Sequence, residues 1–541
     1  MISFVKLVNR IKNKIYIEAD LWLWARSVRP IKRTTKPAVK RKVLFCDLMT
    51  MTSTAKVQAL YGAMLRYKGY QMYILLTAPA PFIEKIYKAV TTDVQFVYLN
   101  PRLQNDQEAK AEEIISGLKS SEDILSLEYK NCRIGKNALS YAVRKLRVGN
   151  LDLKNETHRV CFKGVLSQSL DVAEIAETCV KEISPDIAVF LERGYTPLGE
   201  FFDTCIAQGI RTVQWLGSPQ SDSLLFKGYT KENQSYHPLA LSDETWEKLN
   251  GPESSWSEEK KQAVLSKMIS HYESGSWYNR QQLQSGKKIQ TSDIILKALG
   301  LDPNKKTAVV FSHIFYDATF FYGDSIYPDY KKWLIETVRY AIQNDNLNWI
   351  VKVHPVNVWR SEMDGLKMDQ LEVAALQEEL GELPDHIKIM PANTDVNTFS
   401  LFEFADYGLT VRGTIGMEFP CFGIPIITAG SGRYNGRGFT IDPHSEEEYK
   451  ETLLNLHQVE KLDDKTVDLA CRYAYGTFFL RPIKMESYIL DFHANTFGSE
   501  LLKQNTFVHK ETASDWLKSS DLTQISEWII SGQDDFIMER H

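Results

Sequence analysis

The stretch FADYGLTVRGTIGMEFPCFGIPIITAGSGRYNGRGFTIDP, residues 404–443, alternates short apolar runs with glycine-rich turns. The runs at 407–411 and 424–429 predict two buried parallel strands. Residues 417–422 predict a short helix between them, after a turn that contains two glycines. Pro420 lacks a backbone N–H, so we expect this helix to be short or kinked. The stretch therefore predicts a strand, a tight turn, a helix and a second strand.

The turn in this stretch has the features of an anion site. It places backbone N–H groups and the positive end of a helix at the carboxyl end of a strand, where phosphate binds well. Glu418 follows Thr414 by four residues, so both side chains can face one pocket. A carboxylate there can accept hydrogen bonds from a ribose. The alternative is an ordinary βαβ unit without a ligand, because Gly-x-x-Gly turns are common.

Composition limits the classes of protein that this chain can represent. Its 541 residues allow two to four domains, and 43% hydrophobic with 25% charged residues is typical of a folded globular protein. A formal net charge of −5 argues against nucleic acid as a partner. The seven cysteines form no C-x-x-C pair, which favours a reducing cytoplasm and offers no zinc site. We see neither a signal peptide nor an apolar run of the ~20 residues that a membrane span needs.

The first 41 residues predict a basic amphipathic arm. Residues 1–42 contain twelve Lys and Arg but only two acidic residues. Phe4, Val8, Ile11 and Ile15 share one helical face, and tryptophans follow at positions 22 and 24. Such a helix can lie on an anionic membrane surface. The alternative is a helix that packs on the protein's own domain.

Two α/β halves follow the arm. In the first, strands are predicted at 42–48, 70–78, 94–100, 186–191 and 211–216, with helices between them. The second opens near residue 305 and has further predicted strands at 346–355 and 385–393 before the stretch quoted above. Residues 228–293 between the halves have the composition of a connector. The predicted fold class is α/β, with two Rossmann-like doubly wound domains facing a cleft, an N-terminal amphipathic helix and C-terminal helices. We expect boundaries at 1–41, 42–292, 293–480 and 481–541.

Ligand-type residues follow several of these strands, where open α/β sheets bind their ligands. Glu192 follows the strand at 186–191 and could act as a general base or hold a sugar hydroxyl. Its alternative roles are a helix cap or a salt bridge to Arg193. His313 and Asp317 face the cleft if residue 311 ends its strand. His354, in a His-Pro dipeptide at a strand end, points into the crevice.

Five segments together resemble the GT-B glycosyltransferases that build bacterial surface polysaccharides. They are VKVHP (351–355), ADYGLTVRGTIGMEFPCFGIPIITAG (405–430), GRYNGRGFTIDPHSEEEY (432–449), FSHIFYDATF (311–320) and ERGYTPLGEFFDTCIAQGI (192–210). More narrowly, they resemble the capsule polysaccharide biosynthesis family, which includes Kdo transferases. The resemblance covers about residues 185–480 and is strongest after 305. Many members have a good helix former where this chain has Pro420, which affects the ribose-side helix.

The resemblance implies a nucleotide-sugar donor bound in the second half. His354 would contact the donor phosphate and stabilise the leaving nucleotide. Gly413 and Thr414 would donate hydrogen bonds to that phosphate, and Glu418 would hold the ribose. A CMP-linked acid is a plausible donor by family analogy, because His-Pro motifs occur in enzymes that use such donors.

Related enzymes work without a bound metal, so cationic groups would stabilise the developing charge. Arg412 and Arg433 are the candidates for this role, with surface salt bridges as their alternative. Lys352, at the end of the same strand as the His-Pro dipeptide, is also expected in the donor site. No metal ion or other cofactor is expected.

The acceptor hydroxyl needs a base, for which Glu192 is preferred over Asp47, His313 and Asp317. We therefore expect a cytoplasmic glycosyltransferase, peripheral on the inner face of the plasma membrane, that extends a capsule or lipopolysaccharide-type glycan. Its acceptor would be a glycan or a lipid-linked glycan. The alternatives are a teichoic-acid-type glycerophosphotransferase, a nucleotide-sugar epimerase, or a non-catalytic scaffold of glycan assembly.

Overall fold

The computed structural model describes residues 2–32, 41–104, 106–118, 120, 122–220, 223–252, 254–275, 284, 286–356, 370–490, 507–509 and 516–538. Its strands are β1 Arg41–Cys46, β2 Tyr70–Leu76, β3 Gln95–Tyr98, β4 Ile187–Phe190, β5 Arg211–Gly217, β6 Ser223–Tyr229, β7 Thr307–Phe311, β8 Asn348–Lys352, β9 Ile387–Met390, β10 Ala405–Thr410, β11 Ile426–Thr428, β12 Ile483–Lys484, β13 Tyr488–Leu490 and β14 Phe507–His509.

Its α-helices are α1 Ile2–Ser27, α2 Arg29–Lys32, α3 Thr52–Tyr67, α4 Pro81–Val90, α5 Glu108–Gly117, α6 Ile134–Leu146, α7 Glu156–Ile183, α8 Leu198–Ala207, α9 Asp243–Asn250, α10 Glu258–Ser274, α11 Ser292–Leu299, α12 Tyr330–Gln343, α13 Leu371–Leu380, α14 Ile415–Cys421, α15 Glu446–Leu454, α16 Asp464–Tyr475 and α17 Ser520–Ser531. Short 3₁₀ and π turns complete the description: Asn100–Arg102, Glu122–Ser126, Thr398–Glu403, Leu456–Gln458, Gly476–Leu480 and Trp516–Lys518. Among the described helices, none combines the length and the apolar character that a membrane span requires.

Two sheets organise the chain. The first has seven strands in the order β12-β6-β5-β4-β1-β2-β3, and the second has five in the order β11-β10-β7-β8-β9. The second sheet is entirely parallel, while β6 and β12 add antiparallel pairs at one edge of the first. Strands that are buried on both faces read as continuous apolar runs, which is why their positions could be predicted. The predicted fold class, α/β with two Rossmann-like sheets, is confirmed.

Each sheet separates two layers of apolar side chains. In the second sheet, Val310 and Val351 face the core beneath α12 and α13, while Val309 and Ile350 face the core beneath α11 and α14. This alternation follows from the period of two along a strand. The side chains at the end of each strand therefore alternate between the two faces of the sheet. This alternation determines which of them reach the cleft.

Within the arm predicted at residues 1–41, residues 2–32 contain two helices, α1 and α2, which pack on the first half. Leu21, Trp24 and Val28 are buried in its core, and the Trp24 indole donates a hydrogen bond to the Ile86 carbonyl at 3.0 Å. The side chains of positions 4, 8 and 11, on the predicted apolar face, lie outside the described residues. Ile15, on the same predicted face, is exposed.

The C-terminal segment is not an appendage, although a helical extension from residue 481 was predicted. Strand β12 pairs with β6 of the first sheet, and α17 packs on α3. Apolar residues from this segment, including Ile483, Leu522 and Ile529, fill the first-half core. Burying these side chains is what ties the end of the chain to the first half.

The predicted connector also belongs to the packed structure. Leu249 of α9 and Met268 of α10 lie in one cluster with Met417 and Tyr473 of the second half. Helices α9 and α10 therefore pack in the same apolar cluster as α14. The exact domain boundaries at residues 292 and 480 stay a prediction.

The two halves touch directly beside the cleft. Gly194, with φ of +78°, lies against the Phe321 ring, which an added Cβ would meet at 2.2 Å. The neighbouring Tyr195 hydroxyl donates to Asp317 at 3.2 Å and accepts from the Ala318 N–H at 3.0 Å. A glycine is required here both by the backbone conformation and by the close approach.

Candidate functional site

A cleft of about 700 Å³ lies between the carboxyl ends of the two sheets. Residues after β4 and β5 line one wall, and residues after β7, β8 and β10 line the other. Pockets of this size are typical of small-molecule and cofactor sites. The structure brings all ten predicted site residues to this cleft: Glu192, His313, Asp317, Lys352, His354, Arg412, Gly413, Thr414, Glu418 and Arg433.

In the glycine turn, the Gly413 backbone N–H that was predicted to donate to a phosphate is already used within the chain. The Gly413 N–H donates to the Thr410 hydroxyl oxygen at 3.1 Å, so the turn itself uses this donor. Helix α14 has only seven residues and ends one residue after Pro420, as expected for a proline that removes a helical hydrogen bond. So short a helix contributes little dipole, and side chains must supply most of the positive charge in the site.

Glu418 occupies the position expected of a ribose-binding carboxylate. It is fully buried, and one carboxylate oxygen accepts a hydrogen bond from the Tyr272 hydroxyl. The other oxygen, Oε1, has no hydrogen-bond partner among the described residues. Burial raises the pKa of this carboxyl to about 6, although the hydroxyls of Tyr272 and Thr414 and the charge of Arg433 favour the ionised form. A buried carboxylate oxygen without a partner is suited to accept a hydroxyl of a ligand.

Arg412 and Arg433 are buried on the same wall, at 4% and 8% exposure. Arg412 donates to the Asp324 carbonyl at 3.2 Å and to the Ser325 hydroxyl, and Arg433 donates to the Arg412 carbonyl at 2.8 Å. The Nε and Nη1 atoms of Arg412 and the Nε and Nη2 atoms of Arg433 have no partner within the described part of the chain. These two guanidinium groups therefore present four nitrogen atoms without a described hydrogen-bond partner beside the cleft, and that of Arg412 also lies over the Tyr330 ring.

Lys352 adds a third buried cationic group. It is 4% exposed at the end of β8. Burial, and then the charge of Lys287, lower the pKa of its ammonium to about 7. No described carboxylate contributes to its electrostatic environment. An anion bound nearby would favour the charged form.

His354 is held in one orientation by its own loop. Its Nδ1 accepts the Val356 N–H at 3.2 Å, and its backbone N–H donates to the Ser312 hydroxyl at 3.0 Å. This hydrogen bond assigns the proton of the neutral ring to Nε2. The half-buried imidazole lines the cleft wall with its proton on Nε2.

His313 does not have the geometry of a general base. Its Nε2 accepts the Val411 N–H at 3.1 Å and contacts the Thr410 hydroxyl at 3.0 Å, so the ring proton lies on Nδ1. Desolvation, and then the nearby charge of Arg412, lower its pKa well below the usual value. We therefore correct its expected role from a base to a group that braces the turn before α14.

Glu192 lies on the opposite wall in a site that suits a base. Its Oε1 accepts the Arg193 N–H at 3.1 Å. Desolvation raises the pKa of the carboxyl to about 7, with the negative charge of Asp317 acting in the same direction and Arg144 opposing it. The salt bridge to Arg193 considered from the sequence is absent, because that side chain instead donates to the Gln234 and Tyr236 carbonyls.

Asp47, the other first-half candidate, does not line the cleft. Burial raises the pKa of its carboxyl to about 7, but Tyr87 of α4 donates to it at 2.8 Å beneath the strand end. Asp47 has the same parity as Phe45, whose side chain packs in the core under α3 and α4. The alternation of side chains along the strand thus directs the Asp47 carboxyl away from the cleft.

The structure adds His237, which the sequence interpretation had left inside the connector. Its Nδ1 accepts the Leu239 N–H at 3.1 Å, and its ring lies 4.7 Å from that of Tyr322. His354 makes the same contact on its own loop, where its Nδ1 accepts the Val356 N–H two residues ahead. The signal was present in the sequence, because residues 237–238 are a second His-Pro dipeptide.

No protein-family model and no curated protein matches the chain. Similar solved structures include KpsC of Thermosulfurimonas dismutans, a beta Kdo 2,4 transferase, with 14% identity over 56% of this chain and 81% of that one and a TM-score of 0.34. The UDP-GlcNAc 2-epimerase of Neisseria meningitidis bound to UDP-GlcNAc is 11% identical over 81% of this chain and 97% of that one, with a TM-score of 0.24. HepE of Anabaena in complex with UDP-glucose is 11% identical over 81% of this chain and 96% of that one, with a TM-score of 0.25.

At these identities and TM-scores, the likeness says nothing about activity. The function proposed for this chain therefore rests on its own cleft.

Proposed function

We propose that this protein is a glycosyltransferase, which moves a sugar from a nucleotide-sugar donor to a hydroxyl of a glycan acceptor. One observation carries the proposal. Arg412 and Arg433 are buried beside the cleft without an ion pair among the described residues, and four of their nitrogen atoms have no partner within hydrogen-bond distance there, although the Arg412 guanidinium lies over the Tyr330 ring.

Buried cations without a counter-ion are costly, because the desolvation of each charge is not offset by an ion pair. A ligand phosphate would supply both the negative charge and the acceptor oxygens that these groups lack. Guanidinium groups suit phosphate well, because their planar N–H groups form paired hydrogen bonds with its oxygens. The site therefore fits the phosphate of a nucleotide.

The rest of a nucleotide fits the same wall. The unpartnered Oε1 of Glu418 can accept hydrogen bonds from ribose hydroxyls. Tyr272, Gln284 and Thr398, all buried, line the same cleft and are the residues that a base would contact. Lys352, which also lines the cleft, would serve as a further hydrogen-bond donor.

Transfer would occur where this wall faces the first half. Glu192 takes the proton of the acceptor hydroxyl, whose oxygen forms a bond to the anomeric carbon of the donor sugar. The bond from that carbon to the phosphate oxygen breaks, and its electron pair stays on the phosphate. Arg412, Arg433 and the Nε2–H of His354 stabilise the charge that develops on the leaving group.

The finer assignments belong to the same proposal. The motifs shared with capsule-type enzymes favour a surface glycan of capsule or lipopolysaccharide type as the acceptor, including a lipid-linked one. The His-Pro dipeptide supports an acidic, CMP-linked donor only by analogy. The proposal also includes a cytoplasmic location for the enzyme.

A thermal-shift panel of CMP, CDP, UDP, GDP and ADP tests the nucleotide site. A ligand that binds only the folded state adds about 2.7 kcal/mol of stability at a hundredfold excess over its dissociation constant. We expect a selective shift from one of these nucleotides and its loss in Glu418→Gln. A flat panel would contradict the proposal.

Product analysis then tests the reaction. With the nucleotide-sugar that the panel selects, transfer requires an acceptor and leaves the nucleotide as a product. Release of a free epimerised sugar without any acceptor would instead identify an epimerase. Transfer of a glycerol phosphate from its CDP derivative would identify a glycerophosphotransferase.

A further inference from the structure

The outer face of α1 carries large apolar side chains that nothing described covers. Ile15 is 62% exposed, Tyr16 56%, Trp22 60% and Leu23 56%. Soluble surfaces rarely gather large apolar residues in this way without a binding partner. On the opposite face Leu21 and Trp24 are buried in the first-half core, so the exposure of Trp22 and Leu23 does not arise from an unpacked helix.

Helix geometry gives this face a single direction. At 3.6 residues per turn, Ile15, Trp22 and Arg26 all lie on the side opposite Trp24, which anchors the helix to the first half. The Arg26 guanidinium lies over the Trp22 ring at 5.4 Å from its centroid. The outward face thus combines a tryptophan, aliphatic side chains and a cation. We call it the α1 outer face: Ile15, Tyr16, Trp22, Leu23 and Arg26.

Basic residues are concentrated in the N-terminal segment that contains this helix. Residues 1–42 contain twelve basic and two acidic residues, a net charge of +10, while the whole chain has −5. The remaining 499 residues therefore carry −15, the difference between −5 and +10. A negatively charged surface would attract this end of the molecule and repel the rest.

We propose that the α1 outer face docks on an anionic lipid bilayer. Its apolar side chains would enter the interface between headgroups and acyl chains, and Arg26 with its basic neighbours would contact the headgroups. A second copy of this chain is a poorer occupant, because it would bring two segments of +10 together. The bilayer satisfies both the apolar and the electrostatic character of the face.

Docking in this way would bring the cleft close to the bilayer. Asp20 of α1 forms an ion pair with Lys56 of α3 at 2.6 Å. Lys56 lies in the first turns of α3, just after Ser53 and Thr54, which line the cleft. If the proposed transfer is correct, an acceptor held in the bilayer would reach the first-half wall over a short distance.

The test is vesicle flotation of the full-length chain. Vesicles contain either phosphatidylcholine alone or two parts phosphatidylcholine to one part phosphatidylglycerol. We expect binding to the anionic vesicles only, and about tenfold weaker binding for Trp22→Ser/Leu23→Ser. The matched control is Val160→Ser/Ile294→Ser, which removes two apolar side chains of similar exposure, 54% and 55%, elsewhere. It should bind as the wild type does.

Point substitutions are preferable to deletion of residues 1–29, because deletion would remove Leu21, Trp24 and Val28 from the core. Should the serine variant fail to fold, Arg26→Glu/Arg29→Glu tests the charge contribution at two exposed positions. We expect it also to lose binding to anionic vesicles.

Three results would overturn the docking proposal. They are equal binding to neutral vesicles, unchanged binding of both variants, or a wild-type dimer in light scattering that Trp22→Ser/Leu23→Ser dissociates. The nucleotide thermal shift, measured without vesicles, keeps this proposal separate from the proposed function. A normal shift with no vesicle binding refutes docking alone, whereas vesicle binding with no shift refutes the nucleotide site alone.

Discussion

Two groups of buried charged side chains differ in whether they have ionic partners. Lys227, Arg481 and Asp535 form a paired cluster in the first half, each at most 4% exposed. Lys352, Arg412 and Arg433 form a cleft cluster in the second half, without an ion pair among the described residues. Both clusters are buried in folded structure, so burial alone does not distinguish a structural charge from a ligand-binding one.

The paired cluster is held by ion pairs within the chain, although the Nε of Arg481 has no hydrogen-bond partner among the described residues. Lys227 donates to Asp535 at 2.8 Å, Arg481 lies 3.5 Å from the same carboxylate, and Ser242 donates a backbone N–H to it at 2.7 Å. Although burial alone would raise the pKa of Asp535, Arg481 and Lys227 hold it well below its usual range. This cluster fastens the end of the chain to β6.

The cleft cluster has the opposite electrostatic character. Its cations form no ion pair with a described carboxylate, and two of the carboxyls that share the cleft, Glu192 and Glu418, have pKa values raised chiefly by burial, with the charge of Arg433 opposing the shift at Glu418. The comparison indicates that a buried charged side chain without an oppositely charged partner in the chain marks a site for a ligand of opposite charge.

Asp535→Asn should have the largest effect on stability. It leaves Lys227 and Arg481 buried together without an anion, for which we expect a loss of about 3–5 kcal/mol in the free energy of unfolding, measured in denaturant. Because the native pKa is depressed, this stabilisation is present above the unfolded value of about 3.9 and is lost as pH falls through the native pKa.

The control for Asp535 is Glu244→Gln, which breaks the exposed pair with Lys248. An exposed pair of this kind contributes only about 0.3–0.5 kcal/mol. Equal losses in the two variants would refute the structural role of the paired cluster.

Glu192→Gln should lower the rate of transfer by about 10²–10⁴-fold, because general bases contribute by that order. The base must be ionised, so the wild-type rate should rise with pH through about 7 and then level off. In the variant this rise should disappear. A pH profile that keeps its rise would exclude Glu192 as the base.

The same carboxyl has a predictable effect on stability. Its native pKa of about 7 lies above the unfolded value, so the folded state binds the proton more tightly. Its favourable contribution is therefore complete at low pH and is lost as pH rises from about 4.3 to 7. The wild type should lose stability relative to Glu192→Gln over that range, as measured by denaturant unfolding at several pH values.

Arg433→Met should separate binding from stability. It removes unpaired N–H groups, so we expect nucleotide affinity to fall by about 1.5–3 kcal/mol in calorimetry. Stability should stay the same or rise, because an uncompensated buried charge is removed. The exposed Arg339→Met is the control and should leave affinity unchanged. A strong loss of stability in Arg433→Met would place Arg433 among the structural charges.

Asp47→Asn should have the smallest effect. The pKa of Asp47 is raised to about 7, as is that of Glu192, yet its side chain faces Tyr87 and not the cleft. The pH profile of transfer should therefore keep its shape. Loss of the rise near pH 7 in this variant would show that the base had been assigned to the wrong carboxyl.

The cleft could be predicted well because it follows from local patterns. The strands of both sheets read as apolar runs, and parallel strands bring their carboxyl ends to one edge. Glu192 and His354 are far apart in sequence, yet each was placed by its position after a strand. Hydrogen-bond geometry could not be read in this way, which is why His313 stayed among the candidate bases in the sequence analysis.

The paired cluster could not be predicted, because its signals are not local. Lys227 lies within the buried strand β6, where a charged residue hides the apolar pattern. The partner that makes its burial possible, Asp535, is 308 residues away. Strand β12 has only two residues, too few for any periodicity.

The most direct test of the account measures the binding of inorganic phosphate and of pyrophosphate by calorimetry. These probes contain neither base nor ribose, so they report on the cationic groups alone. The account predicts that at least one of them binds the wild type and Arg339→Met equally, and that binding is strongly weakened in Arg412→Met and Arg433→Met. Equal affinity in all four proteins, or no binding to the wild type, would contradict the claim that the unpaired guanidinium groups form a phosphate site.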